Sequence, residues 1–64
     1  MIRVHVQQSS GGWGVFESGE LVADGGDSVE AENAAREYLE SRGGGEIMLH
    51  LSEHQPPKLV RVSG

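Results

Sequence analysis

No cysteine occurs among the 64 residues, which excludes a disulfide framework, a thiolate metal site and a cysteine nucleophile together. Long apolar runs are missing too. Nothing approaches the ~18 apolar residues of a membrane span, and the opening MIRVHVQQ is an alternating, charged segment without a signal-peptide core. The expectation is a soluble, unprocessed chain without membrane contact, and the absence of thiols fits a cytoplasmic location. Basic residues are scarce: 5 Lys and Arg face 10 Asp and Glu, for a net charge of −5. Binding to a phosphate backbone rests on Lys and Arg displacing counterions, so this balance argues against a nucleic-acid partner. The acidity serves solubility, or else a basic partner.

Aromatic side chains are equally few, one each of Trp, Tyr and Phe, while glycine is abundant at 10 residues. Residues 1–64 have room for one domain. A lone core below about 70–80 residues rarely supplies more than ~3–5 kcal/mol, and natural chains of this size add a disulfide, a metal or a second subunit. With disulfides excluded, a second subunit is the expected supplement.

What is present is patterned. Ile2, Val4 and Val6 alternate with Arg3, His5 and Gln7, the period of a half-buried strand. Turn signals follow at Ser9–Gly12 and at Glu17–Gly19, with strands expected at Trp13–Glu17 and Glu20–Asp24, so the first 24 residues predict an antiparallel meander. Asp27 with Glu30 three positions later resembles a capping box. Ala31, Ala34, Ala35, Tyr38 and Leu39 then share one helical face, and Gly43 suits the left-handed cap that ends the helix. Glu46–Leu51 alternates again, Ser52–Pro57 reads as a loop, and Lys58–Val62 as a last strand. The expected fold class is α+β: an antiparallel sheet in the order β-β-β-α-β-β with a single helix on one face.

That helix offers three alanines and only two bulky residues, so the sheet must supply most of the core volume. The expected core is Ile2, Val4, Val6, Trp13, Val15, Ala31, Ala34, Ala35, Tyr38, Leu39, Ile47, Leu49 and Leu51. Trp13, flanked by glycines, is expected to fill the space that the alanines leave at one end of the helix; an exposed stacking platform is the alternative. The opposite face would carry Arg3, His5, Phe16, Met48 and His50, together with Gln7 and, depending on register, Leu59 or Val60. No second helix exists to cover it, and an uncovered half-apolar face marks an association surface. A homodimer formed through this face or through an edge strand is expected, with another protein as the alternative partner.

Several of these pieces resemble, in order and spacing, a family of short bacterial proteins known as domain-of-unknown-function family 2188. They are V-H-V (Val4, His5, Val6), G-G-W-x-V (Gly11 to Val15), A-x-x-A-A-R (Ala31, Ala34, Ala35, Arg36) and G-x-E-x-x-x-H (Gly44, Glu46, His50). The resemblance covers nearly the whole chain and implies a small α+β module with no assigned activity. The chain departs from the pattern after His50, where L-S-E-H-Q-P-P replaces a tight glycine turn. A weaker likeness of fold order connects it to antitoxins built from three strands and a helix, which implies an inhibitor of a basic partner.

Tests for chemistry return little. His50-Leu-Ser-Glu-His54 spells H-x-x-E-H, which holds zinc only when helical spacing brings both imidazoles to one side. On a strand the two rings stand roughly 13 Å apart, so no metal or cofactor is implied. His5 and His50 fall on one open face of neighbouring strands, where a partner's burial would make them a pH-sensitive pair. No serine sits in a nucleophile motif, so no enzyme is expected. Phe16 with Arg3 and His5 makes only a thin version of a nucleic-acid or small-ligand surface.

Overall fold

Two-residue turns organise the amino-terminal half. In the computed structural model, which describes residues 1–64, β1 (Ile2–Ser9), β2 (Gly12–Glu17) and β3 (Glu20–Gly25) form the expected meander. Its turns are Ser10-Gly11 and Ser18-Gly19, and all four residues have positive φ, 47° and 82° in the first and 53° and 81° in the second. Positive φ at both central positions is the turn whose twist matches paired strands. After β3 the helix α1 (Ser28–Glu40) leads to β4 (Gly44–Leu49) and β5 (Lys58–Ser63). The start of α1 is capped as the acidic pair predicts: the Glu30 amide donates to Asp27 Oδ1 at 2.8 Å, and Glu30 Oε1 accepts from the Gly26 amide at 2.7 Å. Glu32 and Arg36 pair one turn apart at 2.9 Å.

The sheet runs β3-β2-β1-β4-β5. It is mixed, not purely antiparallel as expected, because β1 and β4 are parallel. The element order itself dictates this. In a three-stranded meander the third strand points the same way as the first. A helix that returns across the sheet once starts the next strand at the same end, so β4 is parallel to β1 and to β3 alike. Strand β2 already has both neighbours, which leaves no antiparallel place for β4.

The helix packs against all five strands. Val4, Val6, Val15, Ala31, Ala35, Leu39, Ile47, Leu49 and Val62 form the buried core. Ile2, Trp13 and Tyr38 pack on its edge, so Trp13 is a partly buried core-edge residue, and Ala34 is also only half-buried. Leu51, expected inside, is 51% exposed. Strand β4 ends at Leu49, so the alternation in the sequence runs one step beyond the ladder that gives it meaning. Val62 was not expected in the core; the register pairs it with Gly45 and pairs Val60 with Ile47, which turns both valines toward the helix.

Leu39→Ala should cost ~3 kcal/mol, within the range for emptying a fully buried leucine site, and move the urea unfolding midpoint far below that of the parent. Leu51→Ala should shift the same transition by less than ~0.5 kcal/mol.

Candidate functional site

The face opposite α1 is built by strand register. Phe16 pairs with His5 and with Leu21, His5 with Met48, and Met48 with Leu59. One residue from each strand therefore lines up in a single row, Leu21-Phe16-His5-Met48-Leu59, from one edge of the sheet to the other. Leu21 and Leu59 are 54% and 45% exposed; the three between them are half-buried. Phe16 lies over Gly14, where an added Cβ would meet the Phe16 ring at 2.8 Å and Leu21 Cδ1 at 3.0 Å. The missing side chain at Gly14 thus lets the ring lie flat against the sheet.

A charged row runs beside the apolar one. Arg3 pairs with Glu46 and Glu46 with Arg61 in the ladders. Both Nε and Nη2 of Arg3 donate to Glu46 Oε1, at 3.2 and 3.0 Å, and Arg61 Nε lies 3.9 Å from Glu46 Oε2. Glu46 is the one buried charged residue of the chain, and the two guanidinium groups beside it offset the desolvation of a buried carboxylate.

From within the apolar row His5 reaches away from the charged row, its Nδ1 2.9 Å from His50 Nε2, with the ring centroids 5.2 Å apart and the planes tilted by 32°. His50 follows the last residue of β4 and is tied there by its amide, which donates to the Val6 carbonyl at 2.8 Å. One imidazole donates and the other accepts, so at least one ring is neutral. Burial, then the neighbouring His50, then Arg3 hold the pKa of His5 below the ordinary 6.5.

The five residues expected on the open face, Arg3, His5, Phe16, Met48 and His50, are therefore brought together there. Leu21 and Glu46 were not among them. Leu21 was concealed by the register shift between Val15 and Phe16 in the β2–β3 ladder, which moves β3 out of simple alternation. Glu46 stands at the start of an apolar strand, where an acid reads as a solvated flank. His54 lies in the loop after β4, its amide donating to Ser52 Oγ at 3.1 Å, so H-x-x-E-H has no helix to act on. No cluster of three or more His, Cys, Asp or Glu residues is placed to hold a metal ion, and no helix is long and apolar enough to cross a membrane.

No family model, curated protein or solved structure matches this chain.

Because folding lowers the affinity of His5 for a proton, the unfolded chain binds more protons below the ordinary histidine pKa. The contribution of His5 is present in full above 6.5 and is lost as pH falls through and below that value. Thermal unfolding across about pH 5 to 8 should show the parent losing stability toward acid more steeply than His5→Gln; parallel profiles would contradict the assignment.

Proposed function

We propose that the chain is a non-enzymatic association module that joins a second copy of itself through the open sheet face. The observation carrying this reading is the row Leu21-Phe16-His5-Met48-Leu59, four apolar side chains around one imidazole in a stripe that crosses all five strands and that nothing in the chain covers. Composition supports it, because a 64-residue chain without cysteine lacks the covalent staple that small domains use. The resemblance of motif order to family 2188 would fit a small module of this kind and adds no activity to it.

The surroundings of the row weigh against the other readings. Both arginines of this face are directed at Glu46, so no free cation stands ready beside Phe16 for a phosphate, as a nucleic-acid surface requires. His5 and His50 are bonded to each other, and neither hydrogen-bonds a serine hydroxyl, the arrangement a hydrolase would need.

Size sets the strength of the association. Five strands at ~4.8 Å spacing, read over three rows, present roughly 500 Å² of flat sheet. A standard interface takes ~800 Å² from each partner. Pairing of this face alone belongs to the weak, reversible class, and only concentrated solutions should populate it.

Phe16→Glu should give a folded, soluble monomer at concentrations where sedimentation velocity finds the parent self-associating. Ala34→Glu, on the flank of the helix side, should leave that association unchanged. A parent that sediments as a monomer at high micromolar concentration, or a Phe16→Glu chain that associates like the parent, would refute the reading.

A further inference from the structure

Two imidazoles side by side on an uncovered sheet are half of a ligand set. We infer that His5 and His50 form half of a transition-metal site, which the same two histidines of a second copy complete, so that one zinc-class ion bridges two open faces. The inference rests on the self-association proposed above and names what strengthens it.

The geometry is close to that of a chelate. Nδ1 of His5 and Nε2 of His50 are 2.9 Å apart, and tetrahedral zinc at about 2.0–2.1 Å from each ligand nitrogen sets two of them about 3.3 Å apart. A small hinge of either ring replaces the shared proton with a metal ion. The proton is conserved: the ring that donates it takes its other tautomer, and both rings bind as neutral ligands. An all-imidazole donor set suits zinc, copper and nickel and does not suit the hard cations calcium and magnesium.

The chain alone stops at two ligands, since no third His, Cys, Asp or Glu joins this pair. Glu46, the nearest acid in the facing row, is already bound by Arg3 at 3.0 Å, and this ion pair also offsets the positive charge that Arg3 presents to an incoming cation. Arg61 lies beyond Glu46 in the same row. A four-coordinate ion therefore needs two more donors from outside. A two-fold axis through the ion supplies an identical pair, and His5 stands at the centre of the apolar row, so the same axis lays one row against the other. With only a few hundred Å² of face to bury, the bridging ion would supply what area does not.

The test titrates zinc chloride into the full chain, stripped of metal by chelator, at neutral pH, reading zinc stoichiometry and sedimentation velocity. The expected result is one ion bound per two chains with a doubling of mass, and self-association tightened by at least about tenfold. His5→Ala, His5→Gln and His50→Ala should each lose the zinc effect while keeping the parent's circular dichroism, and His54→Ala should retain it. Zinc bound singly per chain without a change in mass, a zinc effect surviving in His5→Gln, or no binding at all would overturn the site. If zinc does nothing while Phe16→Glu still abolishes association of the metal-free chain, the metal site fails and the face reading stands. If zinc dimerises Phe16→Glu as strongly as the parent, the site stands and the face reading fails.

Discussion

The close seating of one small-faced helix on five strands governs the rest of the molecule. Ala31 and Ala35 are fully buried, and at Gly25 an added Cβ would come within 2.6 Å of the Ala31 amide nitrogen, so helix and sheet meet with almost no side chain between them at that end. Leu39 fills the other end. A helix this close touches every strand and buries their apolar positions with only two bulky residues of its own, Leu39 and Tyr38. The same economy fixes what stays outside. The chain forms one helix, and the face of the sheet opposite it carries none.

The bare face is ordered, not merely exposed. Its apolar residues occupy one row with His5 at the centre, the Arg3-Glu46-Arg61 charges are confined to the next, and His50 stands on the opposite side. The buried Glu46 carboxylate would be costly alone, and two guanidinium groups offset that cost. Gly14 contributes by absence, since the Phe16 ring rests where its side chain would stand. Rings laid over strand glycines recover packing that glycine forfeits, so Phe16 serves the sheet and the surface at once.

Much of this arrangement was legible in the residues. Element order, the capped helix start, the helix face and the membership of the open face follow from periods of two and of 3.6. What periodicity cannot supply is the pairing partner of each strand. Placement of β4 beside β1 depends on where the helix returns the chain, and the resulting parallel pair was missed although the element order requires it. Leu51 shows the same gap on a smaller scale: its position in the alternation is right, but the ladder ends before it. Leu21 was hidden because the register shift between Val15 and Phe16 leaves no mark in the hydrophobic pattern. Glu46 was hidden because burial of a charge depends on Arg3, which lies 43 positions away.

The junction of β1 with β4 explains why the site residues lie where they do. It is the one seam between the amino-terminal meander and the β4–β5 hairpin, and parallel pairing is slightly weaker per residue than antiparallel pairing. Side chains cross it twice, Arg3 to Glu46 beside the apolar row and His5 from within that row to His50 on its other side. The backbone bond from His50 to Val6 closes the same end. The charged pair and the histidine pair are thus fastenings of the fold before they are anything else, and an ion held by His5 and His50 would clamp the seam within each copy while it joins two copies. For that reason a change in stability on losing either histidine says little about assembly. Mass and metal stoichiometry are the quantities that separate a fastening from a bridge.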